Sequence, residues 1–123
     1  MHEKIKVMIV EDNFLNRKLA TDLLELEGYW ILPCPDAESA LEILKTDSPA
    51  IILMDVALPG MDGLELTRLL KAEPKTKDIK IIALTAFAML PDKTRVMDAG
   101  CDGYITKPID TRKFPGQILE YLK

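Results

Sequence analysis

IKVMIVEDNFLNRKLATDLLELEG, residues 5–28, is the stretch from which the fold can be read. IKVMIV at 5–10 is an apolar run suited to a strand buried on both faces, and it stops abruptly at Glu11 and Asp12. Asn13 has the chemistry of a helix N-cap. Leu15, Leu19, Leu23 and Leu26 then recur at helical spacing until Gly28, a residue suited to the position just past a helix end. Strand, sharp polar stop and amphipathic helix together make the first half of a strand–helix–strand unit.

The same alternation continues along the chain. YWILPC at 29–34 reads as a second strand, Asp36 caps a helix carrying Ala40, Leu41 and Leu44, and Pro49 breaks it. AIILM at 50–54 is a third strand, running into Asp55 and a turn at Pro59-Gly60. The following helix carries Leu66, Leu69 and Leu70 and ends at Glu73-Pro74. IKIIAL at 79–84 is a fourth strand; its helix starts near Pro91 and stops at Ala99-Gly100. GYIT at 103–106 is a short fifth strand. In the last helix Phe114, Ile118 and Leu122 share a stripe, with Pro115 expected to kink or delay its start. Five strands alternating with five helices predict a single α/β domain over residues 1–123. Its sheet is parallel and doubly wound, in the order 2-1-3-4-5 with helices on both faces, the flavodoxin-like arrangement.

Composition narrows the function classes. With 48% hydrophobic and 29% charged residues, the 123-residue chain has the make-up of a globular domain able to bury a core without staples. A net charge of −4 gives no electrostatic footprint for nucleic acid or an anionic bilayer. The apolar runs are of strand length and no signal-peptide pattern opens the sequence, so a cytoplasmic protein is expected. Cys34 and Cys101 lack metal-site spacing and read as buried thiols.

In a sheet of this order, ligands bind beyond the carboxyl ends of the strands, at the switch between strands one and three. Strand one runs into Glu11 and Asp12, strand three into Asp55, strand four into Thr85 and strand five into Lys107. Each alone has an ordinary structural explanation, as a cap or a solvated charge. Together they place three carboxylates, a hydroxyl and an ammonium on one rim, a like-charge cluster that calls for a compensating cation. The donor set suits Mg²⁺, with Asp12 and Asp55 as direct ligands, Glu11 acting through water and the backbone carbonyl of Ala57 completing the protein share. A carboxylate so placed can also attack phosphorus. Asp55 would be the nucleophile, Lys107 the neutralising cation and Thr85 the hydroxyl meeting a phosphoryl oxygen.

VEDN at 10–13, LMDVALPGMDG at 53–63, LTAFA at 84–88 and YITKPI at 104–109 resemble, in order and spacing, the receiver domain of bacterial response regulators. The resemblance covers essentially the whole chain. VEDNFLNRKLATDLLELEGY and LTAFAM are most similar to the small stand-alone receivers of the DivK type in cell-cycle control, although similar runs occur in receivers of hybrid histidine kinases. The resemblance implies that Asp55 accepts a phosphoryl group from a phosphohistidine on a histidine kinase or histidine phosphotransfer protein, with Mg²⁺ at Glu11, Asp12, Asp55 and Ala57. It implies a cis Lys107-Pro108 peptide, and a Thr85–Tyr104 switch pair that re-faces the surface of helix four, strand five and helix five. It further implies donor docking at Phe14, Leu15 and Asn16, in a monomer or weak dimer. The module would promote its own phosphorylation and dephosphorylation rather than turn over a substrate.

Two positions bear on the lifetime of the phosphoryl group. Ala57 offers no side chain to orient an attacking water, and Phe87 either screens the acyl phosphate or packs on helix four, so self-dephosphorylation is expected to be slow. Rival chemistries fit less well. A phosphatase of the haloacid dehalogenase type needs a second Asp two residues after the nucleophile, where this chain has Ala57. A flavin module needs a hydroxyl- and glycine-rich loop after strand one, where Glu11 and Asp12 would repel a phosphate.

Overall fold

In the computed structural model, which describes residues 4–86 and 90–123, the central strands are apolar because both their faces are covered. β1 (Lys6–Val10), β3 (Ile51–Asp55) and β4 (Lys80–Thr85) lie inside; β2 (Trp30–Cys34) and β5 (Gly103–Thr106) form the edges. All pairings are parallel, in the order β2-β1-β3-β4-β5. Alternation along each strand divides the core in two. Met8, Val10, Ile52, Met54, Ile81 and Ala83 face α2 (Ala37–Leu44), α3 (Gly63–Ala72) and α4 (Leu90–Asp98). Val7, Ile9, Ile51, Leu53, Ile82 and Leu84 face α1 (Phe14–Leu26) and α5 (Phe114–Leu122).

The helix boundaries follow local chemistry. Asn13, Asp36 and Asp62 each accept the backbone N–H three residues on, capping α1, α2 and α3. Gly28 and Gly100, at φ 92° and 107°, end α1 and α4 in the left-handed conformation that L side chains resist. Around each, the paired 5→2 and 6→1 bonds are present: Gly28 N–H to Glu25 O with Tyr29 N–H to Leu24 O, and Gly100 N–H to Met97 O with Cys101 N–H to Val96 O.

Three expectations need correction. The leucine stripe of α1 lies at the margin of its buried face: Leu15 is 73% exposed, Leu26 82% and Leu19 40%, Leu23 is half-buried against the core, and Ala20 and Leu24 are buried. The contact line runs one residue round the helix, because small Ala20 at its centre lets α1 settle on the sheet and leaves the larger leucines at the margin. Pro115 neither kinks nor delays α5. It occupies the first turn, where no N–H partner is required, behind a buried Phe114. β3 also runs one residue further than expected and ends on Asp55 itself.

Gly63 sets how closely α3 approaches β3. Its N–H donates to Val56 O at 3.2 Å, and a Cβ there would lie 2.2 Å from Asp55 O. Gly63→Ala should therefore cost about 2 kcal/mol or more, whereas Gly116→Ala, in open space on α5, should be neutral or gain about 0.5–1 kcal/mol. Denaturant midpoints of the two variants check this. Cys34 and Cys101 are buried free thiols. Burial, then the Asp36 charge, pushes Cys34 up to about 12, and burial raises Cys101 as well. Neither thiol should react appreciably with Ellman's reagent in the native protein at neutral pH, and both should react on unfolding.

Candidate functional site: an acidic rim bridged by one lysine

The ends of the strands bring the polar residues together through a continuation of the sheet ladder. Glu11 N–H donates to Cys34 O at 3.0 Å, Val56 N–H to Leu84 O at 3.1 Å and Lys107 N–H to Thr85 O at 2.8 Å. Each bond extends a strand pair by one rung, so that Glu11, Asp55, Thr85 and Lys107 share one edge. Glu11 is 1% exposed and Asp55 4%; Thr85 is buried, whereas Asp12 is open to solvent. The residues line a cavity of about 550 Å³ that also includes Ala57 and Asn16.

Lys107 joins the carboxylates. Its Nζ lies 3.1 and 3.0 Å from the two Glu11 oxygens and 3.1 Å from Asp55 Oδ2. Asp55 Oδ1 accepts the Ala57 N–H at 3.0 Å, so both oxygens of this carboxylate are held. Carboxylate oxygens of Glu11, Asp12 and Asp55 come within 4.8 Å of one another. Hard oxygen donors in a partly open cleft fit Mg²⁺, which keeps several of its waters and uses few protein ligands. The Lys107–Pro108 peptide is cis.

Two buried carboxylates sharing one ammonium do not hold protons equally. Burial, then the hydrogen bond with Asp55, pushes Glu11 up to about 7 against the pull of Lys107 and Asn16. Burial would raise Asp55 too, but the bond with Glu11, the Ala57 amide and Lys107 outweigh it and hold Asp55 below the usual carboxylate range. For Lys107, burial favours the neutral amine, yet the bonds to Glu11 and Asp55 prevail and its pKa is raised.

The residues expected at the periphery are placed as follows. Phe14 is 62% exposed and Leu15 73%, at the start of α1 beside the rim. Tyr104 is half-buried in β5, with Lys93 Nζ 5.2 Å from its ring centroid; its carbonyl accepts the Tyr121 hydroxyl at 3.3 Å. Phe87 lies outside the described residues. Sequence reasoning missed three features. Asn16 Nδ2 donates to Glu11 Oε1 at 3.0 Å, and Arg17 Nη1 donates to the carbonyls of Glu11 at 2.8 Å and Asp12 at 3.4 Å. A further cavity of about 340 Å³ opens beside the rim between Leu19, Ala20, Pro108 and Ile109. The resemblance marks Asn16 only as a donor-docking residue, and Arg17 carries no signal, since polar residues early in a helix are common.

Residues 7–118 match the response regulator receiver domain, and the chain belongs to that family, a signalling domain of two-component systems. Within it, the chain is 45% identical over 116 residues to the polar-differentiation response regulator DivK of Brucella anthropi, covering 94% of each protein. Among solved structures it resembles a CheY-like response regulator receiver domain protein of Methanospirillum hungatei. That match has a TM-score of 0.86 and 30% identity, over 98% of this chain and 94% of that one. It also resembles the receiver domain of a sensor histidine kinase from Pseudomonas aeruginosa, a structure with a magnesium ion coordinated in its active-site cleft. Here the TM-score is 0.88 at 28% identity, over 98% of both chains. No described helix is long and apolar enough to cross a membrane.

The Glu11 proton gives the site a pH dependence of definite sign. Folded protein retains a proton that the unfolded chain, with a carboxyl near 4.5, releases; the group's contribution to stability therefore falls as pH rises from 4.5 through about 7. Metal-free protein should lose stability from about pH 5 to about pH 8, and Glu11→Gln should flatten that part of the profile relative to wild type. A divalent cation taken up beside Glu11 would expel the same proton, so in a calorimetric titration with MgCl₂ the affinity should be higher at about pH 8 than at about pH 6.

Proposed function

We propose that the chain is a phosphorelay response regulator of the stand-alone DivK type, and that Asp55 is its phosphoacceptor. The observation that carries the reading is the Lys107 ammonium, shared between Asp55 and Glu11 with Asp12 alongside. In the transfer, a carboxylate oxygen of Asp55 forms a bond to phosphorus as the P–N bond of a phosphohistidine breaks, and the departing imidazole keeps the electron pair. The product is an acyl phosphate. Asp12, Asp55 and the Ala57 carbonyl would hold Mg²⁺, with Glu11 acting through water; the ion supplies charge neutralisation for the transferring oxygens.

The chain's own residues supply the rest. The Ala57 N–H and Lys107 pin the Asp55 carboxylate before reaction, which limits the reorganisation needed at the moment of transfer. Lys107 then pairs with the phosphoryl oxygens, and the Thr85 hydroxyl meets one of them. Movement of Thr85 toward the rim frees space for the Tyr104 ring, re-facing the α4–β5–α5 surface toward a downstream protein. In this reading the domain promotes its own phosphorylation and, slowly, its own dephosphorylation. Ala57 offers no side chain to orient water.

The donor is a histidine kinase or histidine phosphotransfer protein, met in the cytoplasm, with the exposed Phe14, Leu15 and Asn16 beside the rim as its docking residues. The 45% identity to DivK over 94% of both proteins favours the DivK type over a hybrid-kinase receiver.

Intact mass after incubation with acetyl phosphate tests the acceptor. Wild type should gain one phosphoryl group only when Mg²⁺ is present, chelation by EDTA should prevent the gain, and Asp55→Asn should show none while keeping its melting temperature. Labelling retained in Asp55→Asn would refute the assignment.

A further inference from the structure

We propose that Asn16 is a positioning residue that holds the buried Glu11 carboxylate toward the acidic rim and so sets the affinity of the site for a divalent cation. The first turn of α1 is built for this. Asn13 Oδ1 caps the helix by accepting the Asn16 backbone N–H at 3.0 Å, which fixes where the Asn16 side chain begins. The position is the third of the helix, from which a longer Glu or Gln would reach back to the cap. Here the shorter amide instead spans to Glu11 Oε1 at 3.0 Å. The next residue, Arg17, grips the same segment through the Glu11 carbonyl at 2.8 Å. Side chain and backbone of Glu11 are thus both tied to α1.

The need for a second donor follows from burial. A carboxylate that is 1% exposed must have its oxygens satisfied, and the donors to Glu11 among the described residues are Lys107 and Asn16. Lys107 is also bonded to Asp55, and in the phosphoacceptor reading it turns to the phosphoryl group. Asn16 then remains as the fixed partner, keeping Glu11 oriented while Lys107 changes its partner. The inference rests on that reading for its place in the reaction, but the effect on cation affinity stands apart from it. It also gives Asn16 a role toward the buried carboxylate, beyond the donor docking expected at Phe14, Leu15 and Asn16.

The test compares wild type, Asn16→Ala and Lys18→Ala. Lys18 is exposed on the same helix and pairs with Asp22, so its variant controls for loss of a polar side chain from α1. Calorimetric titration with MgCl₂ should show affinity about 10-fold weaker for Asn16→Ala, the size expected for loss of an outer partner of a metal ligand, and unchanged for Lys18→Ala. Asn16→Ala leaves a buried Glu11 oxygen short of a donor, so its melting temperature should fall modestly, and the titration is run well below the unfolding transition of every variant. Labelling by acetyl phosphate should slow by the same factor at low Mg²⁺ and recover at saturation. Unchanged Mg²⁺ affinity in Asn16→Ala overturns the inference, as does an equal loss in Lys18→Ala. Wild type that binds Mg²⁺ but is never labelled overturns the phosphoacceptor reading alone, and the titration still decides the role of Asn16.

Discussion

The Lys107 ammonium, held between the buried carboxylates of Glu11 and Asp55, is the interaction on which the rest of the site depends. Two carboxylates this close repel one another, and burial makes each harder to ionise. One ammonium cannot satisfy both equally. The structure resolves the conflict asymmetrically, leaving Asp55 ionised and Glu11 holding its proton up to about 7. The rim is therefore a poised arrangement, in which one ammonium balances two unequal carboxylates.

The parallel sheet makes such crowding possible. Its ladder runs one rung past β1, β3 and β5, so the residues following these strands are fixed by backbone hydrogen bonds rather than by loop packing. Gly63 brings the start of α3 against the end of β3, and the two glycine-terminated helices, α1 and α4, deliver the chain directly into β2 and toward β5. Rigid elements thus carry the acidic side chains, and the loops need only leave the cleft open.

α1 serves two purposes that compete along its length. Its buried line through Ala20 and Leu24 anchors it to the sheet, while its first turn exposes Phe14 and Leu15 and reaches back to Glu11 and Asp12 through Asn16 and Arg17. A partner pressing on that turn would contact the same few residues that hold the acidic loop. The surface of α1 and the interior of the site are consequently linked through one helical turn.

Much of this was legible in the sequence, because strand runs, caps and helix-ending glycines are local signals. Glu11, Asp12, Asp55, Thr85 and Lys107 could be placed on one rim from strand order alone. The leucine series of α1 misled, since which face of a helix is buried depends on what it meets, and a small residue such as Ala20 can mark the contact better than a large one. The bond from Asn16 to Glu11 and the unequal protonation of the carboxylates were not legible. Glu11 and Lys107 stand 96 residues apart, and a proton's preference depends on burial and on donors contributed by distant segments. The sequence by itself determined the alternation, the sheet order and the chemistry available at the strand ends, for these follow from periodicity and punctuation. Only the tertiary structure decided which carboxylate keeps a proton and which side chain steadies it, because desolvation and hydrogen-bond geometry arise only when the chain has closed around them.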